Sequence, residues 1–432
     1  MKITKLLSTL IALSSASGFL YAAGDNGSVL TDTAKQFGLN GKIETGAIKV
    51  PEETETVYDY KNITAIPEDP PAVKQVNSVP ASVLPLPDDD MDRESMLEAF
   101  NTTLSYWNGR PDSASITIAS DTYKAPVLRK TALRMIELIK ENMSPEDLRE
   151  AIRKEFKIYR ASADGSDKTT LTGYYEAEIQ AVKEKDATHI YPIYARPSDL
   201  IKTSSSQGVD FDYGHYVNGE LVRYFSTEEI HSGAMDGQGL EIAWSEHPAQ
   251  LMLLHIQGSG IVRYPDGDYI RVGFDGTNGH PFKSVQSALI TSGETKPMSF
   301  KKFIDYLMSQ PQAREAELVE INPRYVFMRA KAKNEMPNGA IGKPLTGGRS
   351  IAVDKQYIPY GLIGLVSSTK PVADSEGNLT FEKFTRFISS HDTGSAIRGP
   401  GRLDLFWGSG EKAETEASAM KAEGELYLFV LK

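Results

Sequence analysis

From residue 171 to the C-terminus, short runs rich in Tyr, Ile, Val and Phe are separated by turn-forming dipeptides, among them Asn218-Gly219, Asp266-Gly267 and Asn278-Gly279. Glycine after Asn or Asp supplies the positive φ that tight hairpins need, so each pair marks a strand reversal. Many short strands with few helices between them cannot bury their faces as a helical bundle. They close into barrels or stack as sandwiches. One helix is expected inside this region, over 299–308. Strands resume at 325–330, and the end reads as a helix over 411–423 followed by a last strand over 425–431. No internal repeat at a fixed period is present.

Ahead of the β region the chain changes character three times. Residues 1–23 carry Lys2 and Lys5, an apolar run broken by serines, and then Ala22 and Ala23, with no acid. That is a secretory signal rather than a membrane span, cut after Ala23 or after Gly18. Residues 24–93 mix prolines with acids and end in Asp88, Asp89, Asp90 and Asp92, without sustained apolar periodicity. They read as a disordered acidic tether, or as a segment that orders on a partner in the cell wall. Order is expected from Glu94. Met96, Leu97, Phe100 and Leu104 recur at helical spacing up to a stop at Asn108 and Gly109, and a second helix is expected over 126–141. Ser144, Pro145, Glu146 and Asp147 spell the start of a third, reaching about Phe156.

Charge and cysteine usage narrow the function. Among 432 residues, 47 Lys and Arg stand against 58 Asp and Glu, a net charge of −11. So acidic a chain is poorly matched to nucleic acid or an anionic membrane surface, both of which need clustered cations. There is no cysteine, hence neither a disulfide nor a lipid-modified cysteine. An exported chain of this kind depends on its core. We therefore expect an exported protein that is not a lipoprotein.

The chemistry gathers in a few polar stretches. In HDTGSAIRGPGRLDLFWGSG, residues 391–410, glycines and a proline shape a loop, and residues 403–407 read as a short strand. Alternation sends Asp404 and Phe406 to one face and Leu403, Leu405 and Trp407 to the other. Asp404 is thereby projected from a rigid element, as a catalytic carboxyl would be, although a solvated Asp at a strand end has the same pattern. LTGYYEAE at residue 171 contributes Thr172, Tyr174 and Tyr175. HIQGSG at 255, read as a strand, contributes Gln257 and Ser259. Amides, hydroxyls and tyrosines on β surfaces suit sugar hydroxyls and flat pyranose faces, while turn chemistry and satisfied core polars explain them as well.

Other chemistries fare worse. The histidines are scattered, with no HExxH-like pair for zinc, and neither a Walker A run nor a strand-linked GxGxxG is present, so no metal and no cofactor is expected. Ser259 lacks the two glycines of GxSxG. His391 and Asp392 are neighbours on one strand and point apart.

These stretches together resemble the membrane-bound lytic murein transglycosylase A family, whose C-terminal part is the 3D, or three-aspartate, domain. The matching segments are TGYYE at Thr172, HIQGSG at His255, VGFDGTNGHPF at Val272, NPRYVFMR at Asn322, PLTGGRSIAVDKQYIPYG at Pro344 and DTGSAIRGPGRLDLFWGSG at Asp392. The three aspartates would be Asp354, Asp392 and Asp404. The resemblance implies a double-ψ β-barrel built from 94–177 and 323–432, including a 3D region over 344–432. A second β-barrel over 178–322 is inserted, with a cleft between the two.

It also implies an activity: non-hydrolytic cleavage of the MurNAc-GlcNAc β-1,4 bond of peptidoglycan, leaving 1,6-anhydroMurNAc ends. Asp404 would be the single catalytic acid and then base, with Asp392 supporting it. Thr172, Tyr174, Tyr175, Gln257, Ser259 and Trp407 are the expected glycan contacts, with Trp407 and Asp392 raising the pKa of Asp404. A two-carboxylate glycoside hydrolase and a non-catalytic murein-binding protein are the competing readings. Family relatives are often lipoproteins, a feature this chain's lack of cysteine does not share, so the resemblance implies a soluble periplasmic enzyme, expected as a monomer.

Overall fold

The computed structural model describes residues 75–163, 166–204, 207–374 and 378–432; the expected signal and residues 24–74 of the expected tether lie outside them. Strand β1 (Gln75–Val79), helix α1 (Arg93–Asn108), the hairpin β2 (Ser115–Ile118) and β3 (Asp121–Lys124), helices α2 (Ala125–Lys140) and α3 (Pro145–Glu155), and strand β4 (Phe156–Ser162) lead into the long strand β5 (Thr169–Gln180). Next come β6 (Tyr191–Tyr194), β7 (Ile201–Lys202), β8 (Tyr213–Val217), β9 (Glu220–Val222), α4 (Thr227–His231) and β10 (Glu241–Ser245). They are followed by α5 (Pro248–Gln257), β11 (Ser259–Arg263), β12 (Tyr269–Thr277), α6 (Val285–Ser292), α7 (Phe300–Met308), α8 (Gln312–Glu320) and β13 (Val326–Lys331). The chain ends with β14 (Ser350–Val353), β15 (Ile363–Ala373), β16 (Leu379–Asp392), β17 (Arg402–Ser409), α9 (Glu411–Ala419) and β18 (Lys421–Leu431).

Six strands close a first barrel in the order β18-β15-β16-β14-β17-β5 and back to β18. Two of its pairings, β14 with β16 and β17 with β5, are parallel. Leu171, Ile351, Val353, Leu403, Leu405, Leu426 and Leu428 fill its interior. A second cluster, around Phe100, Met135, Phe387 and Phe429, seals α1 and α2 onto its outside.

Strand β5 belongs to two barrels at once. Its first half pairs with β17 and β18, and from Ala177 onward it pairs in parallel with β11. From β11 the sheet continues through β12 to β13. Bridges from Met328 to Ala195, beside β6, and from Trp244 of β10 to Val182, just beyond β5, complete a second circuit. The inserted barrel therefore begins inside a strand rather than at a linker.

Three helix starts carry side-chain caps, and that of α3 falls where Ser144 placed it. Asp92 accepts from the amide of Ser95, Ser144 from that of Asp147 and Ser299 from that of Lys302. Two expectations are corrected. The chain is already ordered at Gln75, ahead of Glu94: β1 pairs with β4, Asp89 grips the buried Arg349 through two contacts of 2.6 and 2.8 Å, and Asp90 holds Arg386 and Lys370. Those aspartates are counter-charges to cations of the barrel, so that part of the acidic segment is ordered by ion pairs. The region between β6 and β13 also contains α4, α5, α6 and α8 besides the expected α7. In particular HIQGSG is not one strand. His255 and Gln257 end helix α5, Gly258 caps it at φ +75°, and Ser259 starts β11.

Candidate functional site

The register of the first barrel draws four residues into one row. Ala352 of β14 is level with Asp392 of β16 on one side and with Asp404 of β17 on the other, and Asp404 is level with Thr172 of β5. Laterally paired residues share a face, so the two carboxyls stand on one floor with the small Ala352 side chain between them. Two strand spacings put their backbones about 10 Å apart.

The two carboxyls have different partners. Asp392 Oδ2 accepts from the Tyr174 hydroxyl at 2.8 Å and its Oδ1 from the amide of Ala340 at 2.9 Å, and the amide of Thr393 adds a third donor. Asp404 has a single hydrogen bond among the described residues, from the Thr172 hydroxyl to Oδ1 at 2.8 Å. Burial pushes both carboxyls up to about 6, against the lowering effect of these donors. For Asp404 the Arg402 cation also acts downward, while the charge of Asp392 adds a smaller upward push. Removal from water is the larger cause here; the neighbouring acid is secondary.

The third aspartate is part of the scaffold. Asp354 is 4 % exposed, and its carboxylate accepts from the amides of Gln356 and, at 2.7 Å, Gly399. It thereby fixes the Gly-Pro-Gly loop that leads into β17. His391 is scaffold too. Its ring lies between Thr103 and Ser350 at 2.8 and 3.0 Å, and burial pushes its pKa down to about 3, so it is neutral.

Not all residues expected at the site meet there. Thr172 and Tyr174 do, on the same face of β5 as the floor; the Tyr174 ring is buried 5.2 Å from Phe406, in a cluster with Leu345, Ala352 and Ile397. Ser259 shares that face by register, because Ile261 is level with Glu178. Tyr175 points the other way, into the core beneath α5 and α7, with its hydroxyl on Glu414. Gln257 sits behind the strand and accepts the Tyr175 amide at 3.0 Å, where β5 passes from one barrel to the other. Trp407 lies on the far face of β17. A Cβ at Gly173 would come within 2.6 Å of its Nε1, so only glycine admits the ring there. The burial of Asp404 therefore does not come from the indole.

One residue at this floor escaped the sequence reading. Arg402 precedes Asp404 by two positions on β17 and so shares its face, a relation that strand alternation alone could have signalled. A cavity of about 530 Å³ between Asp88–Asp90 and strands β15, β16 and β18 shares no residue with the row.

Two joined barrels with a half-buried acid on a shared floor define a class that can be compared with known proteins. The family model described as "MltA specific insert domain" matches residues 170–329, and that described as "3D domain" matches 349–430. Membrane-bound lytic murein transglycosylase A of Vibrio cholerae is 29% identical over 279 residues, covering 63% of this chain and 69% of that protein. The Escherichia coli protein of the same name is 28% identical over 269 residues, covering 62% and 67%. Among solved structures, a membrane-bound lytic murein transglycosylase from Agrobacterium tumefaciens superposes with a TM-score of 0.68 at 26% identity, over 83% of this chain and 98% of that one. MltA from Neisseria gonorrhoeae gives 0.62 at 26% identity, over 84% and 96%. The chain belongs to the membrane-bound lytic murein transglycosylase A family.

Proposed function

We propose that this chain is a peptidoglycan lytic transglycosylase that cleaves the MurNAc-GlcNAc β-1,4 bond and leaves 1,6-anhydroMurNAc ends. The observation that carries the reading is the contrast between its two carboxyls. Asp404 is on a rigid strand, held by one hydroxyl, with its pKa raised to about 6 by burial, whereas Asp392 is tied by three donors. An acid that is still partly protonated near neutral pH and keeps a free lone pair can give a proton and then take one back.

In this mechanism Asp404 protonates the glycosidic oxygen as the C1–O bond breaks. The resulting carboxylate then removes the proton of the muramoyl C6 hydroxyl while that oxygen bonds to C1. The proton count closes on one residue. Because the nucleophile is already part of the substrate, orientation replaces an activated water, a contribution of about 7 kcal/mol or more in well-oriented intramolecular reactions. Thr172 holds the Asp404 rotamer, and Asp392 with Tyr174 keeps the floor rigid. Ser259 is a glycan contact on the same face, whereas Tyr175, Gln257 and Trp407 act from behind the strands.

The names of the relatives support this substrate, and their description as membrane-bound fits action at the cell wall. Among the described residues no helix is long and apolar enough to cross a membrane, and we place the activity in the periplasm. Mass spectrometry of the muropeptides released from purified sacculi tests the proposal: anhydro ends are expected. Hydrated reducing ends would assign a two-carboxylate hydrolase, and binding without release would assign a murein-binding protein.

A further inference from the structure

A glycan of alternating sugars presents two β-1,4 bonds per repeat, and an enzyme that cuts one of them must tell MurNAc from GlcNAc. The two pyranoses carry the same acetamido and hydroxymethyl groups. They differ only in the 3-O-lactyl group of MurNAc, whose carbonyl or carboxylate oxygens are hydrogen-bond acceptors. A residue that fixes the register has to be a donor, it has to face the same floor as Asp404, and it has to be free to take a new partner.

Arg402 meets these conditions. It lies on β17 with Asp404, two positions away and on the same face, about 7 Å along the strand. That is of the order of the distance from a glycosidic oxygen to a substituent at C3 of the same ring. Its Nη2 is 3.5 Å from the Thr172 hydroxyl, the group that holds Asp404. Its Nε is buried and has no hydrogen-bond partner among the described residues. Nor does any described carboxylate lie within ion-pair distance of its guanidinium, in contrast to Arg349 and Arg386, which Asp89 and Asp90 neutralise. A half-buried guanidinium with an unused donor is costly unless a ligand completes it. Planar recognition of a carboxylate or carbonyl is what its fork of donors does best.

We propose that Arg402 is the residue that recognises the lactyl oxygens of MurNAc and thereby sets which glycosidic bond is brought to Asp404. The proposal rests on the reading of the chain as a murein-cleaving enzyme and adds its choice of register. The acceptor has two sources: the free lactyl carboxylate of a peptide-stripped strand, or the amide carbonyl that joins a stem peptide.

The test is a set of affinities measured by calorimetry in an Asp404→Asn background, so that nothing is consumed. The probes are chitohexaose, a hexasaccharide of alternating GlcNAc and MurNAc with free lactyl groups, and the same hexasaccharide bearing stem peptides. With Arg402 present, the alternating sugar with free lactyl groups should bind about 10- to 100-fold more tightly than chitohexaose, with a smaller preference for the peptide-bearing one. Arg402→Gln should reduce both preferences to within about threefold while leaving chitohexaose affinity unchanged, which also shows that the variant is folded. Arg402→Lys, which keeps the charge but not the fork, should retain only part of the preference. A preference that survives intact in Arg402→Gln would overturn the proposal. Failure of the underlying reading would show separately, as a wild-type protein that releases no anhydro-muropeptide from sacculi.

Discussion

The Tyr174 hydroxyl donates to Asp392 at 2.8 Å and not to Asp404, although both carboxyls stand on the same floor. That one donation, added to the amides of Ala340 and Thr393, separates two chemically identical groups. One is saturated with donors. The other keeps capacity for a substrate.

Asp404 should govern the pH dependence of the reaction. Its pKa is raised to about 6, and it acts first as an acid, so kcat/KM should be level below about pH 6 and fall about tenfold per unit above it. Arg402→Gln removes a cation that holds this pKa down, and should therefore move the fall to higher pH. A profile that rises through pH 6 would mean that the group is needed ionised from the start.

The same group should be visible in stability. A carboxyl whose folded pKa lies above its unfolded value favours the folded state at low pH, and that contribution is lost as pH climbs from about 4 to about 6. Asp404→Asn escapes the loss. It should be more stable than the wild type by about 1–3 kcal/mol at pH 7, with little difference at pH 4, as read from urea midpoints. An equal difference at both pH values would remove desolvation as the cause of the shift.

Tyr174→Phe should leave Asp392 without its hydroxyl donor and raise its titration above about 6, since that hydrogen bond is the largest of the lowering effects on it. Carbon-detected NMR titration reads this directly. The expected loss of activity is about tenfold, because the floor loosens while Asp404 keeps Thr172. An unchanged Asp392 titration would show that the donor is replaced by water.

The N-terminal segment should prove to be part of the folded unit. Asp89→Ala leaves the fully buried Arg349 guanidinium without its carboxylate and should cost about 3–5 kcal/mol. Asp90→Ala, whose partners include the more exposed Lys370, should cost less. Chemical denaturation of both variants checks the order of the two effects.

What could be read from the amino acids follows from where each signal is stored. Capping is local, so Ser144 placed the start of α3 directly. Strand alternation is local too, and it put Asp404 and Phe406 together on the face opposite Trp407. Helix α5, PAQLMLLHIQ, is apolar nearly all round because it is buried on most sides, and such a run has no period to separate it from a buried strand. Asp89 and Asp90 looked like a solvated charge run because their cations are 260 and 296 positions away. The pairing of Thr172 with Asp404 across two parallel strands is likewise stored in topology. Composition holds no trace of it, and the motif resemblance was what pointed there.

The central claim is that one carboxyl performs both proton transfers and that water takes no part. Digestion of purified sacculi in H2 18O by the wild type, Asp392→Asn and Asp404→Asn, followed by mass spectrometry of the released muropeptides, tests it most directly. The account predicts unlabelled 1,6-anhydro ends from the wild type, the same product at a lower rate from Asp392→Asn, and none from Asp404→Asn. Reducing ends carrying 18O, or anhydro product from Asp404→Asn, would contradict it.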